Sequence, residues 1–377
     1  MEVDKANINI LKDLQQLIIE FLDNDSDNQI NFHEIKDFIE KAKIQEDQYK
    51  LSFLLHMISI ISNNHHRSTN FFEKIFSILD YLSLSIKKYF SSSELFDIFE
   101  DNKKTLLFLV KKELIIIDTS IIKKMSKGKY FYRGYLYYFS PEIKQVTSDQ
   151  SMEDLPDDFE EKREIGENDS YICQLIRNDN IKEFISYHIK TNCCFYESLP
   201  KSKYETNTFL IDYTNYIEYA AFFGSIDIFN YIVNQNVYLP PSLWLFAIHS
   251  QNSDLIHKLE ELGVIPSDET YNECFIESIK CHHNYIANYF LQNYIQEDEL
   301  IFFKNEQFIK YFNFSFFEKN IFNYSNIGLF IKYDYLIVVQ LLLEYIDIDV
   351  NSEIINNQKI ILITFAYFIV SCHFRKI

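Results

Sequence analysis

The chain has 377 residues, of which 47% are hydrophobic and 17% aromatic. That length favours two domains with ample core, and that composition excludes a wholly disordered chain. Only six glycines and six prolines argue against a turn-rich β protein, and a formal charge of −19 with no clustered Lys/Arg run argues against a phosphate-binding surface, so nucleic acid is not an expected partner.

In chain order, Ile8, Ile10, Leu11, Leu14, Leu17, Ile18 and Phe21 mark the first helical stripe. Asp23, Asp25, Asp27, Ile30 and Glu34 then occupy positions 1, 3, 5, 8 and 12 of an EF-hand loop, with Asn28 at the turn position usually held by Gly. The 23–34 stretch therefore carries one alternative, a calcium-responsive adaptor. EF-hands work in pairs and no second loop follows, so no metal ligand is assigned there. Further stripes run from Tyr49 to Ile61, from Phe71 to Phe90 and from Ser93 to Ile117. Asn63 to Arg67 reads as a polar loop, and Ser91, Ser92 and Ser93 offer helix caps. The tyrosine-rich stretch from Lys129 to Ser140 has no clear period. Residues 1–148 are expected to form an N-terminal helical bundle.

Residues 149–169 hold ten acidic side chains against Lys162 and Arg163, with Pro156 among them. Self-repulsion predicts an extended acidic linker. Residues 170–358 carry an internal repeat. Ala220 to Ile232 and Ala247 to Leu259 each show a helix end with small or apolar residues, a tight polar turn, and an acid opening a new stripe, at an offset of 27 residues. Asn236 and Gly263 close the second helices at the same offset. Looser copies run from Leu175 to Tyr187, from Ser278 to Leu291 and from Phe330 to Glu344, with an irregular insert at 296–325. Each helix pair is too small to have its own core, so stacking must supply one, as in an α-solenoid. Gly224 stands where the chain reverses and suits a positive φ, which Gln251 and His282 tolerate less well. Trp244, beside Leu243 and Phe246, is expected in the core.

The tail at 359–377 is apolar from Ile360 to Cys372. Thirteen helical residues span ~20 Å against the ~30 Å of a bilayer core, so a buried or incomplete last repeat is expected rather than a membrane anchor. The first residues lack the basic and apolar regions of a signal peptide, which points to a reducing, cytoplasmic setting for the six cysteines. Cys274, Cys281, His282 and His283 form the densest ligand cluster. Adjacent helical positions point ~100° apart, so the last three cannot converge on one ion from a regular helix, and no metal or cofactor is expected. No dinucleotide, phosphate-loop or nucleophile-elbow motif occurs, and no Cys and His are brought together by sequence alone.

Ala220, Ala221, Gly224, Asp227, Ile228 and Ile232 resemble the ankyrin core Ala-Ala-x-x-Gly-His-x-Glu-Ile-Val-x-x-Leu-Leu, and Asp349-Val350-Asn351 resembles the close of an ankyrin unit. The segments ISNNHHRSTNFFEKI (60–75), LIRNDNIKEF (175–184), YIEYAAFFGSIDIFNYI (216–232), SLWLFAIHSQNSDLIHKLEE (242–261) and ECFIESIKCHHNYIANYFLQNYI (273–295) resemble the uncharacterised ankyrin-repeat proteins expanded in trichomonad protists, which carry a domain of unknown function of the ankyrin clan. The resemblance implies an all-α protein with an ankyrin-like array that binds other proteins and catalyses nothing. The 27-residue offset is shorter than the ~33 of ankyrin, which implies trimmed loops between units.

Overall fold

The computed structural model describes residues 2–24, 29–68, 70–147, 154–211, 214–295, 301–317, 321, 326–336 and 338–339; the side chains of 2–8, 29–31 and 301–304 are not described. These residues form an all-helical protein. In chain order the helices are α1 (Glu2–Asp23), α2 (Gln29–Lys41), α3 (Gln48–Asn64), α4 (Phe71–Tyr81), α5 (Ser83–Tyr89), α6 (Ser92–Ile98), α7 (Lys103–Lys111), α8 (Thr119–Met125), α9 (Gly128–Tyr132), α10 (Tyr135–Tyr138) and α11 (Ser140–Thr147). They continue as α12 (Phe159–Ile165), α13 (Tyr171–Arg177), α14 (Ile181–Thr191), α15 (Tyr216–Phe223), α16 (Ile226–Val233), α17 (Leu243–His249), α18 (Ser253–Glu261), α19 (Asn272–Lys280), α20 (Asn284–Asn293), α21 (Ile301–Lys310) and α22 (Ile327–Lys332). Among the described residues the only β pairing is an isolated bridge between Ser198 and Asn215.

Two compact units result, and their border is not at the acidic stretch. Described residues up to Ile58 join those from 301 onward, while Ser59 to Ile295 form the other unit, so the division falls inside α3. The expected boundary at 149–169 is replaced in part by α12. Arg163, 2% exposed, donates from Nη1 to Glu142 at 2.8 Å and from Nη2 to Glu160 at 2.8 Å, and Tyr138 donates to its carbonyl at 2.7 Å. Lys104 donates to the Ile165 carbonyl and Thr206 to the Gly166 carbonyl. Lys162 meets Asp158 and Asp169, both at 3.0 Å. Cations inside and outside the run thus offset the repulsion that composition alone predicts.

In the first unit α1 and α2 pack on each other. Phe53 of α3 has the rings of Phe312, Phe314 and Tyr335 at 5.1 to 5.3 Å. Gln15 of α1 bridges the same turn: its amide nitrogen donates to the Phe312 carbonyl and its amide oxygen accepts from the Phe314 N–H. The insert expected to be irregular therefore contains a regular helix, α21, and a defined turn.

The second unit begins with short helices whose starts follow local chemistry. Ser91 and Glu94 form a reciprocal capping box, as the serine run predicts. The stripe from Phe71 to Phe90 is two helices that break at Leu82, and Asn102 starts α7 within the stripe from Ser93 to Ile117 by accepting from Thr105 N–H. The tyrosine-rich stretch resolves into α9 and α10 and the start of α11. From α13 onward the helices come in hairpins, α13/α14, α15/α16, α17/α18 and α19/α20, and the first helix of each packs on the first helix of the next. Ala220, Ala221 and Ala247 are fully buried at these crossings, where a small side chain lets backbones approach.

One turn recurs in every hairpin. Asp179, Gly224, Gln251 and His282 have φ of 44°, 69°, 57° and 61°. Each N–H returns to the carbonyl three residues back, and the next N–H reaches five back in three of the four: Asn180 to Leu175, Ser225 to Ala220 and His283 to Ser278. This is the Schellman closure of a helix end. Gln251 and His282 adopt the left-handed conformation despite their side chains. In the first unit Phe312 (φ 54°) and Asp334 (φ 60°) close α21 and α22 in the same way. The second helices α16 and α18 end at left-handed Asn236 and Gly263, as the offset predicts.

Candidate functional site

Two places in the hairpin unit gather chemistry. The first is a groove of 380 Å³ between α18 and α20, lined by Ser253, Ile256, His257, Tyr285, Ile286 and Tyr289 among others. The His257 ring stands edge-on to Tyr289 with centroids 5.6 Å apart, and Tyr285 is 49% exposed. Glu260 accepts from the hydroxyls of Tyr289 and Tyr294, each at 2.6 Å. Burial would raise its carboxyl, but those two hydroxyls and His257 outweigh it and hold the group below the ordinary carboxylate range. The groove thus presents rigid aromatic rings whose polar ends are held, a surface type enriched in protein interfaces.

The second place is enclosed. Glu277 and Cys281 stand four residues apart at the end of α19 and so share a face. His249, the last residue of α17, meets both: its Nε2 lies 2.7 Å from Glu277 Oε1, and Cys281 Sγ lies 3.5 Å from its Nδ1 and 3.7 Å from Nε2. Lys280 donates to the same Glu277 oxygen at 2.8 Å. Burial would raise the Glu277 carboxyl, yet the Lys280 ammonium and the His249 hydrogen bond hold it at about 2. Burial lowers the His249 pKa against the pull of Glu277, so the ring is neutral at pH 7. Burial, with Glu277 adding to it, pushes the Cys281 thiol well above its ordinary value. A thiol beside an imidazole beside a carboxylate has the order of a nucleophilic triad, but Cys281 and His249 are 0% and 1% exposed. No substrate reaches them, and the thiol is not a thiolate.

Around this cluster, His283 Nδ1 lies 2.8 Å from the Ile248 carbonyl while its Nε2 is buried without a hydrogen-bond partner. His65 Nδ1 lies 2.8 Å from the Cys281 carbonyl and its ring is edge-on to His283 at 5.0 Å. The loop expected at 63–67 therefore starts inside the core. The four-residue cluster singled out from sequence is not brought together as one ligand set. Cys281, His282 and His283 occupy the turn between α19 and α20, not a regular helix, and only Cys281 joins the group. Its partners His249 and Glu277 were missed. The Glu277/Cys281 spacing of four was a legible signal; the approach of His249, which needs the stacking of α17 on α19, was not.

Elsewhere, Trp244 is fully buried with its indole N–H on the Val264 carbonyl at 2.8 Å, as a core residue should be. The 23–34 stretch lies at the α1–α2 junction: Asp23 ends α1 and residues 29–34 already belong to α2, with Glu34 exposed on it, while residues 25–28 and the side chains of 25–31 lie outside the described residues. The tail at 359–377 and the end of the copy from Phe330 to Glu344 also lie outside them. No helix among the described residues is long and apolar enough to cross a membrane.

What the fold and these sites define is an all-helical protein of stacked helix hairpins. No family model, curated protein or solved structure matches the chain.

Proposed function

We propose that the chain is a non-catalytic protein–protein interaction scaffold, and that its stacked hairpins are a shortened ankyrin-like α-solenoid. The observation that carries this reading is the recurrence of one hairpin, closed by one left-handed turn, with first helices stacked on first helices. Repeats built this way generate extended surfaces rather than enclosed pockets. Gly224 and Gln251 are 27 residues apart and Gln251 and His282 are 31 apart, against ~33 for ankyrin, so the connections after α16 and α18 are trimmed, whereas Asp179 and Gly224 are 45 apart and the connection after α14 is long. The trimming shifts the contact surface away from protruding loops and toward the helices themselves, where a groove lies beside Tyr285 and Tyr289. The partner is another protein, and the acidic chain favours one with a basic or mixed face.

The test uses the full chain and a Tyr285→Asp, His257→Asp double variant, both residues being exposed, as paired baits, followed by titration of the captured protein in purified form. A partner bound by the wild type and weakened tenfold or more by the variant supports the scaffold reading. A partner bound equally by both places the contact elsewhere, and turnover of any captured molecule overturns the non-catalytic reading. The calcium-responsive adaptor is favoured only by the packed α1–α2 pair that meets within the 23–34 stretch. Calorimetry at millimolar calcium decides it.

A further inference from the structure

The cluster at His249, Glu277 and Cys281 brings an imidazole, a carboxylate and a thiol together in the core: His249 Nε2 lies 2.7 Å from Glu277 Oε1, and Cys281 Sγ lies 3.7 Å from that nitrogen. Nitrogen, oxygen and sulfur here lie within 4.8 Å of one another, and all three residues are buried. A further imidazole nitrogen, His283 Nε2, is buried nearby in the same turn with no hydrogen-bond partner.

We propose that this cluster is a three-ligand site for a divalent metal of borderline softness, zinc above all, with His249 Nε2, a Glu277 oxygen and Cys281 Sγ as ligands. The proposal is independent of the scaffold reading. A tetrahedral zinc with bonds of ~2.0 to 2.3 Å sets ligand separations of roughly 3.4 to 3.6 Å. The Cys281 Sγ to His249 Nε2 distance of 3.7 Å fits, the Glu277 oxygen and the sulfur lie within 4.8 Å, and the nitrogen-to-oxygen distance of 2.7 Å has to open. Binding releases the Cys281 proton to solvent, giving a thiolate, and displaces the Lys280 ammonium from Glu277. The two ligand anions then balance the dication, so the enclosed site stays neutral. The ion would join the end of α17 to the end of α19, across the stack that carries the repeat.

Lys280 gives the test its direction, because it competes with the metal for one oxygen. Chelator-treated full-length protein is titrated with Co²⁺ and then Zn²⁺. The expected result is a thiolate-to-cobalt charge-transfer band that saturates at one ion per chain and is displaced by zinc. Cys281→Ser should remove the band, Glu277→Gln should weaken binding tenfold or more, and Lys280→Gln should tighten it. Cys274→Ser, a buried thiol on the same helix, should leave the band intact. No band at saturating cobalt overturns the proposal, as does a band that survives Cys281→Ser or vanishes with Cys193→Ser or Cys194→Ser. If Cys281→Ser fails to fold, judged by Trp244 emission, opposite shifts of affinity in Glu277→Gln and Lys280→Gln support the site, and unchanged affinities overturn it.

Discussion

The recurring left-handed turn makes a prediction whose sign differs between equivalent positions. At Gly224 (φ 69°) an added Cβ falls 3.4 Å from the Ser250 Cβ, while at Gly263 (φ 66°) it meets nothing within 4 Å. A left-handed non-glycine residue costs ~1 to 2 kcal/mol. Replacing glycine by alanine recovers ~0.4 to 1 kcal/mol from the unfolded chain. Gly263→Ala should therefore destabilise by about 0.5 to 1 kcal/mol. Gly224→Ala should cost that or somewhat more, because Ser250 on the neighbouring hairpin has to yield. Gln251→Gly works in the opposite direction: it relieves the left-handed strain at φ 57°, and the backbone carbonyl that accepts from Tyr285 is kept. It should stabilise by about 0.5 to 1 kcal/mol, the same terms reversed. Urea unfolding read by tryptophan fluorescence suits the measurement, since Trp244 is the chain's single tryptophan and lies fully buried in α17. With an m-value of ~1 to 3 kcal/mol per molar, a 1 kcal/mol change moves the midpoint by roughly 0.3 to 1 M. A Gln251→Gly variant less stable than wild type, or a neutral Gly224→Ala beside a costly Gly263→Ala, would refute the view that one strained turn closes each hairpin.

Three other outcomes follow from buried polar groups. Burial pulls the Lys103 ammonium down to about 8 from 10.5, with Glu205 opposing and Arg133 assisting, and its Nζ donates to the Arg133 carbonyl. Because the folded pKa is the lower one, its contribution is full above 10.5 and is lost as pH falls to about 8. Stability should thus rise from pH 8 to 9.5, and Lys103→Met should flatten that slope and stabilise at pH 7, on the order of 3 kcal/mol of linkage less about 1 for the lost hydrogen bond. A variant less stable than wild type at pH 7 would contradict this. Limited trypsin digestion should spare the bond after Arg163, whose guanidinium is 2% exposed between Glu142 and Glu160, whereas an extended linker would be cut there first. Gln15→Ala should cost about 2 to 4 kcal/mol by stranding the Phe312 carbonyl and the Phe314 N–H, and the Phe314 amide should exchange faster by hydrogen-exchange mass spectrometry; an unchanged rate would mean the bridge contributes nothing.

Much of the helix content was legible because local patterns decide it. The stripe from Ile8 to Phe21 and the Ser91 cap need no tertiary information, and the 27-residue offset located the turns at Gly224 and Gln251. The errors share a different cause. Composition described 149–169 by the charges it contains, but Glu142, Lys104 and Thr206, all outside the stretch, decide its conformation. Phe312 was lost in the insert because no glycine or small polar residue marks its left-handed turn.

The enclosed cluster shows the same limit in a sharper form. Spacing alone groups Cys281, His282 and His283 because they are adjacent, and adjacency is what a helix end defeats. His282 takes the left-handed position, and the three side chains part company. The histidine that does reach Cys281 is 32 residues away, at the equivalent end of the preceding hairpin. In a repeat fold, residues one period apart are spatial neighbours, because first helices stack on first helices. The useful search for sites in such a chain therefore compares positions at one repeat offset: the α17 terminus, His249, against the α19 terminus, where Glu277, Lys280 and Cys281 stand. By that rule the spacing of the hairpin turns also identifies which polar residues face each other across the stacked first helices.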